Sequence, residues 1–226
     1  MDRQIRRLGV VLLLAFLLLF LQLNRIQVLQ ASKLANAPGN PRKLLDQFTT
    51  PRGDIQSADG VVLARSVPTN DLYKYQRQYP LGPLFAQVVG YDSLIYGEDG
   101  VEATYNSELQ GHSIPLRHLS DILTPRTQTG TVTLTLDSQL QATARFALGN
   151  RIGAVVALNP STGAVLAMYS NPSYDPNPLA SHDAQTVRRA WTSYQADPNQ
   201  PMLARAFRRS YPPGSTFKVV TSAAVL

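Results

Sequence analysis

The chain has 226 residues, 44% hydrophobic and 16% charged, with a net charge of +6, a composition that suits one or two folded domains. The absence of cysteine excludes disulfides and cysteine-based metal sites. Arg3, Arg6, Arg7 and Arg25 flank one apolar run, and beyond residue 25 the balance is 17 basic against 14 acidic residues, so a nucleic-acid-binding surface is not expected. His112, His118 and His182 lack metal-ligand spacing and read as surface or hydrogen-bonded polar residues; no metal or cofactor site is expected.

Residues 8–23 are almost uninterruptedly apolar. With Ile5, Ile26 and Val28 the stretch reaches the roughly 20 residues needed to cross a bilayer. Arginines on the short N-terminal side predict a cytoplasmic tail over residues 1–7, an anchor over 8–28 and the bulk of the chain outside the cytoplasm. Ala35-Asn36-Ala37 has the look of a signal-cleavage site, but it lies far from the apolar run and Pro38 follows it. An uncleaved single-pass anchor is the preferred reading. Residues 29–50, with Pro38, Gly39 and Pro41, read as a linker.

Residues 51–130 carry closely spaced turn signals, among them Arg52-Gly53-Asp54, Asp59-Gly60 and Glu98-Asp99-Gly100. Short β-prone runs such as Val61-Val62-Leu63-Ala64 lie between them, which predicts a mixed α+β module. Arg52-Gly53-Asp54 reads as a turn built on Gly53 rather than as an adhesion tripeptide. Glu98, Asp99 and Glu102 read as a solvated turn rather than as a metal or acid/base cluster. Residues 104–111 predict a short helix. Alternation over residues 131–136 predicts a strand. Ser138–Leu148 predicts a helix with Leu140, Ala144, Ala147 and Leu148 on its buried face, ended by Gly149 or Asn150.

A hairpin comes next. Gly153–Leu158, the turn Asn159-Pro160-Ser161-Thr162-Gly163 and residues 164–169 predict a β-hairpin. Its small apolar residues predict a sheet covered on both faces. A loop rich in proline and asparagine leads to a helix around residues 184–194. Tyr211-Pro212-Pro213-Gly214-Ser215-Thr216-Phe217-Lys218 follows. The prolines and Gly214 place a helix start near Ser215. Residues three apart on a helix share a face, about 5–6 Å apart at Cβ, so Ser215 and Lys218 are placed to share a proton. Ser215 would sit at the positive end of the helix dipole. For Lys218 to act as a base its pKa must fall from about 10.4, through desolvation or cationic neighbours. Ser-x-x-Lys alone is also compatible with a capped helix bearing a solvated lysine.

Several separated segments together resemble one family. Arg52-Gly53-Asp54-Ile55 with Asp59-Gly60 and Leu63-Ala64; Gly100-Val101-Glu102 with Tyr105, Leu109 and Gly111; Thr135-Leu136-Asp137 with Gln141; the hairpin 153–172; and Arg205-Ala206 with residues 211–218 are similar, in order and spacing, to a class B penicillin-binding protein. The type resembled is penicillin-binding protein A of Gram-positive actinobacteria. Ser-x-x-Lys is the nucleophile motif of that group of serine acyltransferases. The resemblance implies a membrane anchor, a pedestal of dimerisation-domain type over residues 51–150, and the first part of a transpeptidase domain over residues 151–226. That domain is related to serine β-lactamases. The fold class is therefore expected to be α+β.

The resemblance also implies an activity, a peptidoglycan D,D-transpeptidase of cell-wall synthesis. Ser215 would be the nucleophile, Lys218 its proton acceptor and the Ser215 N–H one half of an oxyanion hole. Stem peptides and β-lactams would be its ligands. A separate glycosyltransferase and other cell-wall assembly proteins would be its partners. The family's later Ser-x-Asn and Lys-Thr-Gly motifs do not occur after Ser215 in these 226 residues. Taken alone they are expected to be inactive, and residues 153–226 are not expected to form a stable independent domain. Alternatives are a non-catalytic membrane-anchored scaffold, and a β-lactam sensor or β-lactamase. The long pedestal argues against a β-lactamase.

Overall fold

A computed structural model describes residues 2–30, 45, 47–110, 112–113 and 127–225. It divides into two compact units, Met1–Gln47 and Phe48–Leu226. In the first, helix α1 (Asp2–Asn24) runs into a π-helical turn, Arg25–Leu29. The stretch Arg3–Leu29 is long and apolar enough to cross a membrane. At 1.5 Å per residue its 27 residues extend about 40 Å, more than the ~30 Å hydrocarbon core. Its leucines and phenylalanines are exposed all round, as with Leu13 at 72% and Leu18 at 69%.

The second unit opens with strands β1 (Ile55–Gln56), β2 (Val62–Pro68) and β3 (Tyr75–Gln78). Helix α2 (Ala86–Val89) and the pair β4 (Asp92–Ser93) and β5 (Gly97–Glu98) follow. Next come helices α3 (Gly100–Thr104) and α4 (Asn106–Leu109), the pair β6 (His112–Ser113) and β7 (Thr127–Gln128), and strand β8 (Val132–Thr133). Helix α5 (Ser138–Leu148) leads to the hairpin β9 (Gly153–Leu158) and β10 (Val165–Asn171). Helices α6 (Ala184–Ala196), α7 (Arg205–Arg208) and α8 (Lys218–Val225) complete the chain. The main sheet has the order β3-β2-β1-β8, with β8 parallel to β1 and the other pairs antiparallel.

Several predicted elements form as read. Helix α5 has the predicted bounds because Asp137 caps it, accepting hydrogen bonds from the Gln139 and Leu140 amides at 3.0 and 2.9 Å. Gly149, at φ +56°, ends it. Asp183 caps α6 in the same way. The hairpin turn closes through Asn159 and Ala164, with Gly163 at φ +74°.

Other readings are corrected. The strand over 131–136 is only two residues long, because β1, its pairing partner, ends before the Asp59-Gly60 turn. The helix over 104–111 is two short helices broken at Tyr105. The Arg52 guanidinium takes the Glu102 carbonyl at 2.7 Å, the acceptor Asn106 would use in a continuous helix. The inner face of α5 is Gln141, Ala144 and Leu148, while Leu140 and Ala147 are exposed. The hairpin is not covered on both faces among the described residues, since Val156 and Leu158 are 43% and 57% exposed.

One core runs from the sheet into the segment beyond the hairpin. Ile55, Leu63, Phe85, Val89, Leu109 and Leu136 pack with Tyr174, Leu179 and Ala180. Side-chain amides tie the same segments together. Gln141 donates to the Leu84 and Met168 carbonyls and accepts from the Met168 amide, at 2.8–2.9 Å. Asn177 pairs with both backbone groups of Tyr79 at 2.8 and 3.0 Å, and Gln87 bonds the Pro172 and Pro201 carbonyls. Burying these amides is tolerable only because their polar groups are matched. Leu179→Ala is expected to cost about 2–5 kcal/mol. In chemical denaturation monitored separately at Trp191 and by far-ultraviolet dichroism, both signals should shift together; a loss confined to residues beyond 150 would contradict a shared core.

Candidate active site

The predicted nucleophile motif follows a firmly held segment. Arg205 is 2% exposed, and its guanidinium bonds the carbonyls of Asn199, Gln200 and Leu203, fixing the loop before α7. The Ala206 amide donates to Ser170 Oγ on β10 at 3.1 Å. This accounts for Arg205-Ala206 as a unit: one residue orders the loop and the next joins it to the hairpin.

The chain then passes Pro212, Pro213 and Gly214, at φ +52°, into a 3-10 turn, Gly214–Phe217, from which α8 runs on at Lys218. The α-helix thus begins three residues later than predicted, and Ser215 lies in the turn that leads into it. The backbone N–H of Lys218 bonds the carbonyls of Ser215 and Thr216. In a 3-10 turn residues i and i+3 stack above one another, so the backbone still puts Ser215 and Lys218 on one face. Both are exposed, as are Phe217, Val219 and Val220.

Residues of the segment from Arg52 to Asn106 converge on a buried ion cluster that the sequence reading missed. Glu102 is fully buried rather than part of a solvated turn. Its carboxylate receives Arg52 Nε and Arg77 Nε at 2.6 Å each, and the Tyr79 hydroxyl at 3.3 Å. Arg52 also bonds Asn106 Oδ1 at 2.6 Å, and Asp92 lies 3.7 Å from Arg52 Nε. Two arginines on one carboxylate raise the electrostatic gain enough to offset part of the desolvation cost. Asp92 is less well served. Burial pushes its carboxyl up to about 7, opposed by Arg52 and reinforced by Glu102 and Glu98, and among the described residues its Oδ1 has no hydrogen-bond partner.

Gly53 is required for a different reason than a turn. A Cβ there would lie 1.8 Å from the Gly130 carbonyl oxygen, so the two backbones touch where β1 begins. Asp59 receives hydrogen bonds from the Ser138 hydroxyl and amide, and its pKa falls to about 2, chiefly through Ser138 and Ser57. His182 pairs with Asp71 at 2.5 Å beside Tyr73 and Phe48, as a hydrogen-bonded polar residue. The His112 side chain and His118 fall outside the described residues, as does Gly111.

Comparison with known proteins agrees with these motifs. Residues 52–132 match the sequence model of the penicillin binding protein A dimerisation domain, and residues 153–226 match that of the penicillin binding protein transpeptidase domain. The chain is 42% identical over its whole length to the peptidoglycan D,D-transpeptidase PbpA of Mycolicibacterium smegmatis, of which it covers 48%. The chain spans about half the length of the curated relatives it matches. Among solved structures, it is similar to the ceftriaxone acyl-enzyme complex of penicillin-binding protein A from M. tuberculosis. There the TM-score is 0.72 at 40% identity, over 80% of this chain and 42% of that one. A D,D-transpeptidase domain from Eggerthella lenta gives a TM-score of 0.62 at 40% identity, over 78% of this chain and 37% of that one. The chain belongs to the penicillin-binding proteins, with a mixed α/β fold and an N-terminal apolar helix compatible with membrane anchoring.

Two outcomes follow from the ion cluster. Glu102→Gln leaves two buried guanidiniums facing a neutral amide and should cost about 3–5 kcal/mol in denaturant titration. Asp92 sets a pH dependence. Its folded pKa lies above the unfolded value of 3.8, so the folded state holds the proton more tightly. That contribution is complete below about pH 4 and is lost as pH rises toward about 7, by on the order of 3–4 kcal/mol. Asp59 acts in the opposite sense, but only below its unfolded value of 3.8. Unfolding curves between pH 4 and 8 should show stability falling in the native chain and staying nearly level in Asp92→Asn.

Proposed function

We propose that this chain supplies the acylating serine of a membrane-anchored peptidoglycan D,D-transpeptidase. The observation that carries the reading is the Ser215–Lys218 pair on one face of the turn entering α8, at the position of the family's nucleophile motif. In this reading Lys218 takes the Ser215 Oγ proton as that oxygen attacks the carbonyl of the penultimate D-Ala of a stem peptide. The C–N bond breaks, the terminal D-Ala leaves with the proton, and an acyl-enzyme remains. The amine of a neighbouring stem peptide then attacks the ester, forming the cross-link and freeing Ser215. A β-lactam would acylate the same oxygen. The Ser215 N–H would be one oxyanion donor; the other would come from the Lys-Thr-Gly strand, which the 226 residues do not contain.

We also propose the finer topology. The arginines before the apolar helix favour a cytoplasmic N-terminus, with residues 51–150 as an extracytoplasmic pedestal and 151–226 as the start of the catalytic domain. Since no glycosyltransferase segment lies between anchor and pedestal, a separate polymerase would make the glycan strands, among other cell-wall assembly partners.

Labelling with a fluorescent penicillin tests the assignment. In a protein joining this chain to the Ser-x-Asn and Lys-Thr-Gly segments, covalent label is expected and should vanish in Ser215→Ala. Lys218→Ala should slow labelling by roughly 10²–10⁴-fold. The 226 residues alone should take up no label. Undiminished label in Ser215→Ala would assign the nucleophile elsewhere.

A further inference from the structure

A cleft of about 420 Å³ lies between the β4–β5 segment and helix α6. Its size is within the roughly 300–1,000 Å³ typical of small-molecule sites. Asp99 comes from the stretch matched to the dimerisation domain, and Trp191, Tyr194, Gln195, Gln200 and Arg208 come from the stretch matched to the transpeptidase domain. The cleft therefore sits where the two matched stretches meet, a preferred place for ligand sites.

Its wall is preorganised. Trp191, Tyr194 and Gln195 have the i, i+3, i+4 spacing of one helix face. Tyr96 stacks on Trp191 with ring centroids 4.1 Å apart and planes 15° apart, and Tyr91 meets it edge-on at 6.3 Å. The Tyr194 hydroxyl is anchored on the Asp175 carbonyl at 2.9 Å. Across from these rings Arg208 and Asp99 form a partly exposed ion pair at 3.0 Å. The pair compensates its own charge and so exerts no net pull on an ion, yet it still offers planar donors and acceptors to the cleft. Glu98 also lines the cleft and adds a second carboxylate to the Asp99–Arg208 pair. Aromatic rings, amides, the ion pair and the Glu98 carboxylate together suit a ligand with one apolar face and a rim of hydroxyls, since a hydroxyl can donate to a carboxylate and accept from a guanidinium or amide.

We propose that this cleft binds a sugar unit of a glycan strand. The ring's C–H face would lie on the aromatic wall, and its hydroxyls would bond Asp99, Arg208 and the two glutamines. Occupied, the cleft would bridge both matched stretches and stabilise their docking. The identity of the glycan as peptidoglycan rests on the proposed function; the sugar chemistry rests on the cleft.

Trp191 is the single tryptophan of the chain, so its fluorescence reports on the cleft directly. The test titrates the full chain, in detergent micelles, with N,N′-diacetylchitobiose, with lysine amide and with a D-Ala-D-Ala-ended peptide as competing ligand classes. A saturable change with the disaccharide alone is expected. Arg208→Ala and Gln195→Ala, both at exposed positions, should each retain the native melting temperature. The Arg208 variant should bind about tenfold more weakly, through loss of a charge-assisted hydrogen bond. The proposal is overturned by no saturable response to the disaccharide, by equal or tighter binding of lysine amide or the peptide, or by unchanged affinity in both variants. Penicillin labelling of Ser215 is read separately, in the protein joined to the Ser-x-Asn and Lys-Thr-Gly segments, so failure of sugar binding with that labelling intact sinks the cleft alone, and the converse sinks only the functional reading.

Discussion

The fully buried Glu102 carboxylate, held by two arginines, is the constraint on which the rest of the second unit depends. A carboxylate this deep is tolerable only if its charge and lone pairs are answered nearby. Arg52 answers from the start of the unit, Arg77 from β3, and Tyr79 from the residue beyond it. The cluster thereby sets where β1 begins, where β3 runs and where α3 stops. The Arg52 fork breaks the helix at Tyr105 by taking the Glu102 carbonyl, and the Arg77 guanidinium reaches the Arg52 backbone at 3.3 Å. Asp92 completes the group at a cost, buried with a raised pKa and with one oxygen unmatched among the described residues. The cluster thus specifies geometry more than it adds stability.

A second layer of matched polar groups carries that geometry toward the Ser215 segment. Tyr79 leaves the ion cluster and meets Asn177 through both backbone groups. Gln87 holds the segment near Pro172 and Pro201, and Gln141 holds β10 against residue 84. Arg205 then orders the loop before α7, whose second residue is tied to β10. The route from the ion cluster to the segment before Ser215 is thus a series of buried and part-buried hydrogen bonds, each demanding a particular side-chain length. Beyond Arg209 the support ends among the described residues, and the turn bearing Ser215 and Lys218 stands exposed.

Much of the local structure was legible from residue pattern. The helix over residues 138–148, its stop at Gly149 and the five-residue hairpin turn are decided within a few residues, so periodicity and turn chemistry locate them. The family motifs were legible as strings, but not the physics behind them. Arg52 looked like part of a turn tripeptide and Glu102 like a surface acid, because their pairing spans fifty residues of chain. Gly53 looked like a turn glycine, whereas it admits the Gly130 backbone. Gln141 hid the inner face of α5, since a polar residue on that face breaks the apolar pattern from which the face was read.

By itself the sequence determined the apolar anchor-length helix, the α+β alternation, the position of the Ser215–Lys218 pair and the chemistry that pair resembles. These are short-range properties: composition, spacing along one helix turn, and backbone restriction by proline and glycine. Only the tertiary structure decided which charged residues are buried together, that one core crosses residue 150, and that an aromatic cleft forms around Trp191. Each of those depends on which distant segments meet, and a buried charge or amide reveals its partner only when the chain has folded around it.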